Sequence, residues 1–118
     1  MEILNLTQHL ATNEQVAAGV YEPEHKDKVK KFLTFNEIPS KEEIKERARL
    51  LTGIAISEGA DSVMIGGAPY LMGALELELK SYNIKPLYSF TKREVIKVQK
   101  SDEVIKQSVF KHIGFIEV

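Results

Sequence analysis

Three short runs carry the side chains best suited to chemistry. Asn5, Thr7, Gln8 and His9 lie close together after an apolar start. Their amides and hydroxyl can hold a base or a ribose, and His9 can act as acid, base or charge stabiliser near neutral pH. Thr7 and His9 can equally satisfy the backbone of a turn. Gly66-Gly67-Ala68-Pro69 is the second run. Glycines let backbone N–H groups come close to a ligand, and a helix opening at Pro69 would favour an anion. A phosphate or carboxylate suits that turn, and so does a plain strand-to-helix connection with no ligand. It is neither the dinucleotide fingerprint nor a Walker motif, so P-loop ATP hydrolysis is not expected. The third run is Ser89, Thr91, Lys92 and Arg93. Arg93 is suited to clamping a phosphate bidentately, which Lys92 does less well. The alternative is a solvated basic pair at the base of a hairpin.

Other residues invite the blander reading. Tyr70 either stacks on a base or closes the core from above. His25 sits among Glu22, Glu24 and Asp27, but no second His falls at a metal spacing. His112 is expected as a packed or surface imidazole. Glu42, Glu43 and Glu46 read as solvated and capping carboxylates. No metal site and no cofactor are expected.

These runs need a frame to bring them together. Ile3-Leu4-Asn5-Leu6-Thr7 reads as a buried first strand. Thr12-Asn13-Glu14-Gln15 is a capping box opening a short helix that Gly19 can end. Tyr21 to Lys28 reads as loop and Val29 to Phe35 as a second strand. Ser40-Lys41-Glu42-Glu43 is another capping box, and Ile44, Ala48, Leu51 and Ala55 follow at helical spacing toward Gly59. Ser62 to Ile65 suits a third strand. Leu71, Leu75 and Leu79 mark a helix that Asn83 closes, and Lys85 to Phe90 restarts strand. Val95–Val98 and Val104–Lys106 read as hairpin arms around a polar loop, Gln99–Glu103. The alternation predicts an α/β fold over residues 1–118: a three-layer Rossmann-like or flavodoxin-like, mostly parallel sheet with a C-terminal antiparallel hairpin at about 94–118. Ligands of such sheets bind beyond the carboxyl ends of the strands, where all three runs would meet.

Bulk properties narrow the function. A chain of 118 residues fits one domain with a real core and leaves no room for a second, substrate-binding domain. Sixteen basic and 17 acidic residues give a net charge of −1. A long nucleic-acid track usually needs a basic surplus, so a small nucleotide fits better. With no Cys there is no disulfide framework, thiolate nucleophile or cysteine zinc site. No signal peptide or membrane span is apparent, and a cytoplasmic location is expected.

The opening Asn5-Leu6-Thr7-Gln8-His9, with Thr12, Glu14 and Gln15, resembles the first strand and loop of small stand-alone CRISPR-associated CARF-like proteins. The Gly66 to Tyr70 turn, the Leu-rich helix and the Pro86 strand lie in similar order. The resemblance implies a homodimer that binds a cyclic oligoadenylate across its two-fold axis in antiviral defence. It also implies metal-independent ring opening in some relatives, by attack of a ribose 2′-OH on the adjacent phosphate. Thr7, Gln8 and His9 would match the loop, and Gly66 to Ala68 the phosphate-facing turn. Lys92 and Arg93 are assigned on charge alone. Two alternatives stand beside this expectation. One is a non-catalytic assembly module built on the hairpin. The other is a small α/β enzyme for a phosphorylated or carboxylated metabolite, although no nucleophile–base pair is legible in the sequence.

Overall fold

A computed structural model describes residues 1–100 and 102–118. It holds a mixed α/β arrangement around one five-stranded sheet. The strands are β1 (Ile3–Leu6), β2 (Val20–Tyr21), β3 (Ser62–Ile65), β4 (Lys85–Lys100) and β5 (Glu103–Glu117). The helices are α1 (Asn13–Ala17), α2 (Lys26–Leu33), α3 (Lys41–Ser57) and α4 (Pro69–Ser81). In space the strands lie in the order β2-β1-β3-β4-β5. The first three pairings are parallel and β4–β5 is antiparallel.

Capping chemistry sets the helix starts. Thr12 and Gln15 form the reciprocal capping box of α1. The Ser40 hydroxyl accepts from the Glu43 N–H at the start of α3, and Pro69 opens α4. Asn83 adopts a left-handed conformation just after α4, which closes it as expected. Gly19 has φ +107°, and a Cβ there would fall 1.8 Å from the Met1 carbonyl oxygen. Only glycine lets the chain turn that sharply into β2.

Two expectations need correction. Val29 to Phe35 is not a strand, because Lys26–Leu33 forms α2. Val29 and Leu33 are buried four residues apart while Lys28, Lys30 and Lys31 face outward, a helical period and not a strand's. The sheet's second strand is instead Val20–Tyr21, two residues too short to leave a periodic signal. The hairpin also differs in extent. β4 is a single run of 16 residues from the parallel sheet out to Lys100. The expected loop, Gln99–Glu103, includes Ser101, which lies outside the described residues, and both strands run into its flanks.

The main core lies on one sheet face. Leu4, Leu6, Val63 and Ile65 pack there against Val29 and Leu33 of α2, Leu51 and Ala55 of α3, and Leu71, Leu75 and Leu79 of α4. Ile3, Val20, Met64 and Leu87 form a smaller cluster on the opposite face, with Ala11 and Phe115. α1 lies on this second side, since Gln15 reaches Ser89 of β4. From β1 the chain steps one way to β2, while β3 pairs on the other side of β1. A crevice therefore opens beyond the ends of β1 and β3.

Candidate functional site

That crevice is a cleft of about 630 Å³. Thr7, Gln8, His9 and Leu10 line one wall, Thr12 and Gln15 a second, and Met64, Ile65, Gly66, Gly67, Tyr88 and Ser89 the rest. Its size suits a small ligand. No Lys or Arg stands among the lining residues.

The loop after β1 is held by a cage of hydrogen bonds. Asn5 is completely buried. Its Oδ1 accepts from the Thr7 N–H at 2.9 Å and the Thr7 hydroxyl at 2.7 Å. Its Nδ2 donates to the His9 carbonyl at 2.8 Å and to both carboxylate oxygens of Glu22, at 3.0 and 3.1 Å. Glu22 also accepts from the Ala11 N–H at 2.8 Å and pairs with Lys26 at 3.0 Å. Lys26 Nζ in turn donates to the His9 carbonyl. Burial pushes the Glu22 carboxyl upward, but the bonds from Ala11, Asn5 and Lys26 outweigh it and hold the group below its ordinary range. The His9 carbonyl thus receives two donors, from Asn5 and Lys26, and the loop curls back over the end of β1.

A second chain of bonds crosses the far wall. The Thr12 N–H donates to Gln15 Oε1 at 2.9 Å, which fixes the amide with Nε2 toward Ser89. Gln15 Nε2 donates to Ser89 Oγ at 3.2 Å. Ser89 Oγ lies 2.6 Å from His112 Nδ1, and His112 is only 8% exposed. Gln15 takes one lone pair of the hydroxyl; in the tautomer with Nδ1 bare the Ser89 proton is directed at His112, and in the other Nδ1–H donates to the second lone pair. In either tautomer a hydroxyl and an imidazole share one short hydrogen bond. Tyr88, also in the wall, donates to Glu76 at 2.6 Å; burial first, then that carboxylate, raises its pKa strongly.

The third wall is backbone. Gly66 and Gly67 connect β3 to α4, whose N-cap is Ala68. Ala68 offers no side-chain cap, and no acidic residue sits in the first turn. The first-turn N–H groups therefore keep their attraction for an anion. A Cβ on Gly67 would lie 3.3 Å from the Met72 Cε.

Of the residues singled out from sequence, Thr7, Gln8, His9, Gly66, Gly67 and Ser89 come together at the cleft. Asn5 is the keystone of the loop and not part of the lining. Ala68 sits at the head of α4. Tyr70 points elsewhere, into an edge contact with Phe35 at 5.6 Å, where Arg47 also lies over the Phe35 ring. Thr91, Lys92 and Arg93 do not reach the cleft. They stand on the projecting part of β4, opposite His112, Lys111 and Phe110, and Arg93 donates to the Ser108 hydroxyl at 2.9 and 3.2 Å. Glu22, Lys26 and His112 have roles that no local motif announces. The register of β4 against β5 is what brings His112 to Ser89. Among the described residues no group of three or more His, Asp or Glu is placed to hold a metal ion. No described helix is long and apolar enough to cross a membrane.

A family model described as the Uncharacterized protein MJ1673 family matches residues 1–116. No curated protein and no solved structure matches the chain.

Proposed function

We propose that this chain, which belongs to the MJ1673 family, binds a small nucleotide at the rim of its sheet, most concretely a cyclic oligoadenylate. One observation carries the reading: Gln8 and His9, with hydrogen-bonding side chains, line a cleft together with Thr7 and the Gly66-Gly67 turn at the divergence of β1 and β3. The strand order supports a flavodoxin-like, Rossmann-like arrangement, in which this is where ligands bind. The side chains are suited to base and ribose, and the turn with the uncapped start of α4 is suited to phosphate. The likeness of Asn5 to Gln15 to CARF-like proteins supports the same ligand class, shared by two copies of the chain. If the ring is opened, the cleft would act by aligning a ribose 2′-OH with the adjacent phosphate, with His9 stabilising charge. Calorimetry against cyclic tri-, tetra- and hexa-adenylate tests this. Binding of one ring size, weakened at least tenfold by Gln8→Ala, is expected. No heat with any ring, and no protection of Thr7 to Leu10 from hydrogen exchange, would overturn it.

A second reading, a small α/β enzyme for a carboxylated metabolite, is favoured by the Ser89–His112 pair. A hydroxyl held 2.6 Å from an imidazole is the nucleophile–base relation such an enzyme needs. The wall without Lys or Arg also suits a ligand of low charge. A fluorophosphonate probe distinguishes the two. Labelling of Ser89 that disappears in His112→Gln supports the enzyme, whereas an unlabelled chain that binds a cyclic nucleotide excludes it.

A further inference from the structure

β4 and β5 do not stop where the sheet stops. β4 runs parallel to β1 and β3, so its continuation leaves the sheet at the rim where the cleft opens. From Thr91 to Lys100 it extends about 34 Å at the usual strand rise. The molecule is correspondingly long, at 57 × 35 × 25 Å with a radius of gyration of 16.6 Å. A compact chain of this length would measure about 13–14 Å. A two-stranded ribbon alone in water is marginally stable, and this one carries bare apolar side chains. Ile96 and Ile105 are 41% and 44% exposed, Val95 and Val104 about 60%, and Phe110 74%. By alternation and register Val95, Val104 and Phe110 share one face with Arg93, Lys97 and Lys106, the face that carries Ser89 within the sheet; Ile96, Val98, Ile105 and Val109 share the other.

The charge is also divided. Residues 92–111 hold six basic and three acidic side chains, a net +3. The rest of the chain is therefore −4, because the total is −1. Among the described residues, no ion pair involves Lys92, Arg93, Lys97, Lys106 or Lys111. The cleft, meanwhile, has the Gly66-Gly67 turn at the uncapped start of α4 and no cationic lining residue.

We infer that a second copy of the chain supplies what each lacks: two copies meet rim to rim, and each arm lies along the other's acidic body. Because arm and cleft leave the same rim, a two-fold axis there makes each arm pass the partner's cleft. Arg93 stands two residues past Thr91 on the face of β4 that carries Ser89, so it comes to the mouth of the partner's cleft. Lys97 and Lys106 lie farther out, over the body. The area is sufficient. A ribbon about 34 Å long and 10 Å wide covers roughly 340 Å² on one face. Two arms and the two surfaces beneath them then bury about 1,400 Å², within the range of stable dimers. The contact is isologous and closes on itself, so it yields dimers and not fibres. The placement of Arg93 rests on the proposed anion site; the dimer itself does not.

Light scattering on the full chain, without ligand, should give twice 13.3 kDa. Val95→Asp with Phe110→Asp should give 13.3 kDa with an unchanged far-ultraviolet circular dichroism spectrum. The natural chain has no Cys, which makes the contact traceable. Two separately tagged variants, Val95→Cys and Leu10→Cys, should be joined by a short bismaleimide when mixed. A monomeric natural chain, a dimer indifferent to the two aspartates, or an absence of the mixed cross-link would each overturn the inference. So would a monomer whose arm binds duplex DNA. Arg93→Gln should leave the dimer intact and weaken cyclic tetra-adenylate at least tenfold. If no cyclic nucleotide binds while the dimer and cross-link persist, the ligand reading fails and the clasped dimer stands.

Discussion

The loop after β1 and the arm of β4 and β5 leave the same edge of the sheet and meet opposite fates. Within two residues of Leu6 the loop is bent back by Asn5 and Glu22, and its groups are tied to a buried amide. The arm keeps its strand direction for ten residues past Phe90, and from Thr91 to Gln99 its side chains are exposed or half-buried on both faces. What separates them is where the backbone polar groups find partners. The Asn5 side chain captures the Thr7 N–H and the His9 carbonyl, so the strand cannot propagate. β4 has β5 beside it from Leu87 to Lys100, so it continues. Residues just past a parallel strand reach a rim site only when something turns them in.

Removing the turning device should have the largest effect. Asn5→Ala strips two donors and two acceptor contacts from a fully buried position and leaves the Glu22 carboxylate short of a partner. A loss of about 3 kcal/mol is expected, which lowers the melting midpoint by roughly 10 °C. Urea unfolding measures it. A loss below about 1 kcal/mol would mean the loop is held mainly by its chain ends, and the contrast with the arm would collapse.

The pH response sharpens the same contrast with a smaller effect. Glu22 is held below its ordinary range, so the folded state binds its proton less readily than the unfolded chain does. Its contribution is therefore fully present above the ordinary glutamate range. It is lost as pH falls through that range to the lower folded-state value. The difference in melting midpoint between the natural chain and Glu22→Gln should be widest near pH 7 and should close in acid. A gap that stayed constant down to pH 3 would show that packing, and not the charge, is what Glu22 contributes.

Much of the body was legible because its signals are local. The caps at Thr12 and Ser40, the Leu71, Leu75 and Leu79 stripe and the Pro69 start each lie within one or two turns and read correctly, except that at Ser40 only the hydroxyl half of the expected box forms, because the Glu43 carboxylate pairs with Arg47. Val29 to Phe35 misleads because Phe32, Leu33 and Phe35 sit densely enough to mimic a strand, while the deciding pair, Val29 and Leu33, is spaced by four. The cleft was half legible. Thr7, Gln8, His9, Gly66, Gly67 and Ser89 follow from the rule that ligands sit beyond strand ends. Glu22, Lys26 and His112 enter through contacts 17 to 23 residues apart, which no motif encodes. Lys92 and Arg93 were drawn toward the cleft by charge alone. The length of β4 moves them out of it.

The smallest effect is expected from the arm, and its smallness is informative. Val104 is about 60% exposed, so Val104→Thr removes little packing within its own chain. Within a monomer the change should cost below about 0.5 kcal/mol, as surface substitutions generally do. Denaturant unfolding of the Val95→Asp, Phe110→Asp background, with and without Val104→Thr, measures that intrachain cost. The same substitution in the natural chain, unfolded at several protein concentrations, measures the cost with a partner present. Equal costs in both backgrounds would place Val104 in solvent in every state. A larger and concentration-dependent cost in the natural chain would show that the exposure seen in one copy is covered by another. The loop would then be held by its own fold and the arm by a partner.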